Sequence, residues 1–321
     1  MNKGNKVGFI DSVHPILWDR LTQMGFLCED LSHKTTDEIL PVLSQYIGVV
    51  IRSKFKFDQT AFNHSNNLKF IARSGSGMEN IDLEIAKSLN IFCFNSPEGN
   101  RDAVAEHVLG MILMLFNKLK FSDAQVRKGI WDREGNRGLE LLGKTFGIIG
   151  YGVMGKAVAQ RLSGFGCKVI AYDKYKSNFT DEYAKEVTWE VFCKESDIVS
   201  LHVNFLPQNN YLVNQDFFNG FSKQIYFINS ARGKCVNTAS LVEALKNKKV
   251  LGACLDVLEF ESVSFDNELT DPVFNELTNF PQVILSPHVA GWTVESYQKL
   301  SSFLADKIEQ NLDSFLPSKN A

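Results

Sequence analysis

The run Thr145-Phe-Gly-Ile-Ile149 leads directly into Gly150-Tyr-Gly152-Val-Met-Gly155 and then into a helical stretch whose apolar face includes Val158 and Leu162. Few folds accept that succession. Three glycines at this spacing, between a buried strand and a helix, meet three steric needs. The first permits a tight turn, the second lets the backbone approach a pyrophosphate, and the third allows the helix to pack closely. The helix start adds N–H groups without partners and the positive end of a dipole, which suit an anion. The next apolar run, Lys168-Val-Ile-Ala-Tyr172, ends at Asp173, within the distance of about 20 residues usual for a ribose-binding acid. A carboxylate there repels a 2′-phosphate, so NAD is favoured over NADP, with Lys174 next door softening the preference. Gly150, Tyr151, Gly152, Val153, Met154, Gly155 and Asp173 are the candidate cofactor residues.

Apolar runs alternate with helical patterns on both sides of this motif. Before it lie strand-like runs at Lys6–Ile10, Gly48–Ile51, Lys69–Ala72 and Ile91–Phe94, with helical spacing over Pro15–Met24, Asp37–Gln45 and Leu83–Leu89. Pro97-Glu-Gly-Asn100 reads as a break and hinge, followed by a long helix from about Arg101 to Lys120. From Lys144 onward, six strands are expected, at Thr145–Ile149, Lys168–Tyr172, Asp197–Leu201, Ile225–Ile228, Leu251–Leu255 and Gln282–Leu285. Such alternation builds parallel sheets covered on both faces. The fold class is therefore α/β with two doubly wound parallel-sheet domains: a dinucleotide-binding Rossmann domain and a smaller flavodoxin-like one, with a cleft between them. The single helical stretch after Gly291, Val294–Phe315, is too little for a domain and should return to the first. The expected division is 1–98 plus 292–321 against 99–291.

Composition excludes several other classes. A formal charge of −3 argues against an electrostatic nucleic-acid binder. The six cysteines form no C-x-x-C pair and most sit in apolar runs, so buried free thiols in a reducing compartment are expected, and no metal site. The polar N-terminus shows no signal peptide, and Val108–Phe116, the longest apolar run, falls short of the ~20 residues a bilayer span needs. A cytoplasmic location without membrane or nucleic-acid partners follows.

Three later stretches each offer one polar group that 2-hydroxy acid chemistry uses: Asn229-Ser-Ala-Arg232-Gly, Leu255-Asp-Val-Leu-Glu-Phe-Glu261 and Ser286-Pro-His288-Val-Ala-Gly291. A guanidinium can fork onto a carboxylate, an imidazole can exchange a proton with a carbonyl or hydroxyl, and a carboxylate can hold that imidazole. With Arg73-Ser-Gly-Ser-Gly77-Met-Glu-Asn80-Ile-Asp82 and Asn95-Ser-Pro-Glu-Gly-Asn100, these segments resemble the D-2-hydroxyacid dehydrogenases over nearly the whole chain. The resemblance implies an NAD-dependent oxidoreductase in which Arg232 binds the substrate carboxylate, His288 donates or accepts the proton, and Glu261 is its partner. It further implies that the Gly75–Met78 loop, with Ser74, Ser76 and Gly77, cradles the same carboxylate. Ala231, Asp256 and Gly291 complete the cofactor contacts, Asp256 near the nicotinamide amide.

The chain departs from the family pattern in three places. Ser262 stands where a proline usually follows the acid, and Asn204 replaces a proline near the adenine, changing local loop shape but not chemistry. Glu259 is a second carboxylate on the same side as Glu261 if the chain stays extended, although the family's spacing favours Glu261. Substrate choice is expected from Arg52 and Arg73, which end neighbouring strands and could grip a phosphate. The segment resembles short D-3-phosphoglycerate dehydrogenases, in which case the acid is D-3-phosphoglycerate, in serine biosynthesis, without serine feedback through a regulatory domain. The structural alternative pairs these arginines with Asp82 or Glu79. Glyoxylate, hydroxypyruvate or lactate-type acids are the rival substrates, and an NAD-gated corepressor of the C-terminal-binding-protein type is the rival class. Trp131–Leu141 resembles the family's arm against a partner subunit, with Arg133 or Arg137 approaching the partner's site, so a homodimer is expected.

Overall fold

The computed structural model describes residues 5–261 and 270–315, so the polar residues 1–4 and Ser262 lie outside the described residues. Two compact units divide the chain, Met1–Asn100 with Trp292–Ala321, and Arg101–Gly291.

The first unit is built on five parallel strands: β1 (Lys6–Phe9), β2 (Leu27–Asp30), β3 (Gly48–Ile51), β4 (Phe70–Arg73) and β5 (Phe92–Asn95). Their order is β2-β1-β3-β4-β5, that of a flavodoxin-like sheet. Alternate residues feed opposite faces. Val49, Ile51 and Ile71 enter one apolar cluster, whereas Val50, Phe70 and Ala72 enter another. The second cluster also takes Leu304, Ala305 and Ile308 from the Val294–Gln310 helix. That helix is held further by Arg20, which pairs with Asp306 and Glu309 at 2.5 Å each. Sequence periodicity does not reveal β2, because it lies at the sheet edge with Leu27 53% exposed and no buried face to alternate. The helix expected over Asp37–Gln45 is instead a short α-turn, Thr36–Ile39, continued as a 3₁₀ helix from Leu40 to Gln45. Pro41 sits in its first turn, where the missing N–H and the ring prevent an α-helix from running on.

The second unit contains seven parallel strands: β6 (Thr145–Ile149), β7 (Lys168–Tyr172), β8 (Lys185–Glu186), β9 (Ile198–Leu201), β10 (Ile225–Asn229), β11 (Val250–Leu255) and β12 (Val283–Leu285). The order is β12-β11-β10-β9-β6-β7-β8, which reverses direction at β6. The seventh strand, β8, is two residues at an edge, too short to carry a pattern. One face of the sheet buries Ile149, Val199, Phe227 and Leu255, and the other Phe146, Ile148, Ile198 and Ile228. The helix that covers the latter runs from Pro97 to Phe116. Pro97–Asn100 is therefore the helix's first turn and not a break. Proline is tolerated at a first helical position because its missing N–H would have no partner there anyway. The helix also stops earlier than expected, with Lys118 in a left-handed conformation at φ +50°. No helix among the described residues is long and apolar enough to cross a membrane.

Candidate active site

Because β6 to β12 are parallel, the loops that follow β6, β7, β10, β11 and β12 leave one edge of the sheet. Gly150, Asp173, Ser230–Gly233, Asp256 and Ser286–His288 are all on these loops, with Asn229 the last residue of β10. In open α/β sheets that edge, at the point where strand order reverses, is where ligands bind.

The nucleotide loop fits a dinucleotide on its own geometry. Gly150 adopts φ +91°, and a Cβ there would meet the His202 carbonyl oxygen at 2.6 Å. A Cβ on Gly155 would meet the Gly150 carbonyl oxygen at 2.2 Å, so helix and turn touch through glycine alone. A Cβ on Gly152 would meet nothing within 4 Å, and no side chain caps the Val153–Leu162 helix that begins there. Open space therefore lies before an uncapped helix start, as a pyrophosphate requires. Tyr151 contributes through its backbone. Its N–H donates to Asp173 Oδ2 at 2.9 Å, while its buried ring stacks on Phe179 and its hydroxyl donates to Asp181 at 2.9 Å. Asp173 Oδ1 accepts from the Tyr175 and Lys176 N–H groups at 2.9 and 3.2 Å, which holds the carboxylate at the end of β7. Beneath the loop, the His202 ring meets Ser200 Oγ at 2.8 Å. Desolvation lowers its pKa to about 4, although the residue as a whole is only half-buried, because the ring and not the whole residue titrates.

The acid–base segment is tied down more completely. His288 Nδ1 lies 2.9 Å from Glu261 Oε2. The backbone between them does not stay extended: the Glu261 N–H donates to the Leu258 carbonyl at 3.2 Å, closing a turn that sends the two carboxylates apart. Glu259 accordingly accepts from the Thr238 N–H at 2.6 Å and from the Tyr211 hydroxyl, whose pKa that bond raises. Gly233 explains how the Arg232 loop and this turn come together, since a Cβ on it would lie 2.0 Å from the Leu258 carbonyl oxygen. Asn229 staples the Arg232 loop from within, accepting from the Ala231 N–H at 3.0 Å and donating to the Arg232 carbonyl at 3.1 Å. Arg232 Nη1 donates to the Ala231 carbonyl at 2.7 Å.

Asp256, only 1% exposed, anchors the His288 loop. Its Oδ1 accepts from Ser286 Oγ at 2.6 Å and from the Val289 N–H at 2.9 Å, and its Oδ2 from the Ala290 N–H at 2.8 Å. Its backbone carbonyl accepts from the His288 N–H at 2.7 Å, although His288 sits in the left-handed region at φ +56°. His107, on the Pro97–Phe116 helix, extends the chain, with Nε2 2.9 Å from Ser286 Oγ. Sequence reading missed Ser286 and His107 as parts of this support. The serine stood in the motif, but nothing in sequence spacing joins it to a histidine 179 positions away.

In the other unit, the loop after β4 holds Ser74, Gly75, Ser76 and Gly77. The Ser74 N–H donates to Ile51 at 2.8 Å, Ser76 Oγ to Asn100 at 2.6 Å, and Asn95 Nδ2 to the Ser76 carbonyl at 2.6 Å. The N–H groups of Ser76 and Gly77 make no hydrogen bond among the described residues. The Arg73 guanidinium lies against Gly75. Arg52 does not pair with Asp82 or Glu79. Its N–H donates to Asp11 at 2.5 Å, and its guanidinium carbon stands 4.3 Å from the centre of the Trp292 ring. Asp82 instead caps the Leu83–Ser88 helix.

A parallel sheet with a glycine turn fitted to a pyrophosphate, and a hydrogen-bonded His–Glu pair on the same edge, define a dinucleotide-dependent oxidoreductase. Residues 109–290 match the family model described as the D-isomer specific 2-hydroxyacid dehydrogenase, NAD binding domain. The chain is 32% identical to the hydroxypyruvate reductase of Thermotoga maritima over 87% of its own length and 89% of that protein. It is 33% identical to the D-3-phosphoglycerate dehydrogenase of Archaeoglobus fulgidus over 94% of its own length, but spans only 56% of that relative. The solved D-lactate dehydrogenase of Aquifex aeolicus, complexed with NAD and lactic acid, superposes with a TM-score of 0.82 at 25% identity, covering 97% of this chain and 96% of that one. The chain belongs to the D-2-hydroxyacid dehydrogenase family and is an NAD-dependent oxidoreductase acting on the CH–OH group of its substrate.

Proposed function

We propose that the protein interconverts D-3-phosphoglycerate and 3-phosphohydroxypyruvate, the entry step of serine biosynthesis. NAD, held by the Gly150–Gly155 turn and Asp173, would supply or accept the hydride. His288 takes or gives the hydroxyl proton, while Glu261 on Nδ1 fixes the ring's orientation and directs the transfer through Nε2. Arg232 receives the carboxylate and opposes the negative charge that grows on the carbonyl oxygen during reduction. The N–H groups of Ser76 and Gly77, without a hydrogen bond among the described residues, offer donors to an anionic group of the substrate.

The observation that carries the phosphorylated substrate is Arg52. Its guanidinium makes no ion pair among the described residues, and it directly follows β3, whose neighbour β4 leads into the Ser74–Gly77 loop. A cation kept without a carboxylate partner suits an anionic ligand group. Relatives bearing the phosphoglycerate, hydroxypyruvate and glyoxylate names all resemble this chain, so the test must separate them. Wild-type protein should reduce 3-phosphohydroxypyruvate more efficiently than hydroxypyruvate or glyoxylate. Arg52→Ala should lower the ratio of kcat/KM between the phosphorylated and unphosphorylated acids about 10- to 150-fold. Both acids share the carbonyl and carboxylate, so damage elsewhere cancels in that ratio. An unchanged ratio would leave the dehydrogenase standing and remove phosphoglycerate. We further read the protein as cytoplasmic and as a homodimer, the latter supported by the exposed side chains of Trp131 (79%) and Leu142 (68%) flanking the Arg133–Arg137 segment.

A further inference from the structure

We propose that Trp292 is a positioning residue for Arg52, and that this stacked pair makes the protein select an acid with a second anionic group. The inference rests on the reading of Arg52 given above. Trp292 is 48% exposed, a large indole left half in solvent one residue beyond Gly291. One ring face carries the Arg52 guanidinium at 4.3 Å. Tyr297 meets the indole edge-on at 5.5 Å, and His14 meets Tyr297 edge-on at 5.5 Å. The backbone beside the indole is equally constrained. Thr293 and Ser296 cap the Val294–Gln310 helix reciprocally, through bonds of 2.8 and 3.0 Å, so the indole projects from a fixed helix start.

Arg52 is pinned at its own end too. Its N–H donates to Asp11 at 2.5 Å, and its carbonyl accepts from Asn80 Nδ2 at 3.0 Å. With the backbone fixed by these bonds and the guanidinium by the indole, little torsional freedom remains. A guanidinium held over a ring face by cation–π attraction keeps its charge and its N–H donors for a ligand. Stacking thus leaves the charge and the fork intact, which pairing with a carboxylate would not. Asp11 accepts the Arg52 main-chain N–H and leaves the guanidinium to the ring. A phosphate is the oxyanion whose geometry suits this fork.

The test compares the ratio of kcat/KM for 3-phosphohydroxypyruvate to that for hydroxypyruvate in four proteins: wild type, Arg52→Ala, Trp292→Leu and Trp292→Phe. Trp292→Leu should lower the ratio about 3- to 10-fold through KM for the phosphorylated acid, and Trp292→Phe, which keeps a ring, should recover most of it. Inorganic phosphate should change tryptophan emission in the wild type, and Arg52→Ala, which keeps the indole, should abolish that change. If Arg52→Ala lowers the ratio while Trp292→Leu leaves it at the wild-type value, the positioning role of Trp292 fails alone. An Arg52→Ala ratio equal to wild type overturns the phosphate reading and this inference together. Equal losses in Trp292→Leu and Trp292→Phe would show that the site needs only the indole's bulk and would overturn the stacking argument.

Discussion

The strand-end loops of the two units solve the same problem in opposite ways. In the nucleotide-binding unit, polar groups at the strand ends are fastened by hydrogen bonds within and between loops. Asp256 holds three donors at 2.6–2.9 Å, Asn229 closes the Arg232 loop, and Glu261 fixes one nitrogen of His288. In the smaller unit, the N–H groups of Ser76 and Gly77 are unengaged among the described residues, and Arg52 is held by a ring face. Hydrogen bonds fix both position and direction, and proton transfer needs its partners within about 2.6–3.2 Å. Stacking fixes a plane and leaves the donors for a ligand. On the proposed reading, chemistry falls to the hydrogen-bonded edge and selectivity to the edge with spare hydrogen-bonding capacity.

Four substitutions would break or sharpen that contrast. The largest effect belongs to His288→Asn, which should retain NADH binding and the fold but lower the reductive rate about 10²- to 10⁴-fold. A near-normal rate at every pH would remove His288 from the mechanism. Arg232→Lys keeps the charge and loses the fork. Steady-state kinetics should show kcat/KM falling about 10- to 150-fold, with both constants affected; unchanged constants would make the residue structural. Glu261→Gln should cost about 10-fold in kcat, the scale of one charged hydrogen bond. Glu259→Gln, whose carboxylate serves Thr238 and Tyr211, should cost less than about twofold by the same reasoning. Reversed magnitudes would reassign the partner of His288.

The smallest effect on turnover, and the one confined to stability, concerns His202. Its ring stays neutral in the folded protein down to about pH 4, whereas an unfolded histidine takes up its proton near 6.5. The unfolded state therefore binds more protons between those values. The contribution is complete above pH 6.5 and declines as pH falls towards 4, by about 3 kcal/mol at most. Urea midpoints at pH 7.5 and 5 should differ, and His202→Gln should narrow the difference. An equal slope in the variant would place the pH dependence elsewhere.

Much of this was legible in the chain itself. The GYGVMG turn and the buried strands depend on local patterning: glycine where a Cβ cannot fit, and apolar residues at the period of the element. Those constraints act over a few residues, so spacing reveals them. The Pro97 helix start was misread because a proline marks a break or a first turn equally well until the flanking Ser96 and Gly99 are seen hydrogen-bonded.

The family's spacing favours Glu261, but only the tertiary structure shows why it, and not Glu259, meets His288. The turn closed at Leu258 and Glu261 is stabilised by the contact of Gly233 with the Leu258 carbonyl, which joins loops from two different strands. The same holds for His107 reaching Ser286 and for Trp292 covering Arg52 across 240 positions of chain. A residue's type and its neighbours set what it can do in a strand or turn. What it touches depends on how distant loops pack, and short sequence spacing carries no record of that.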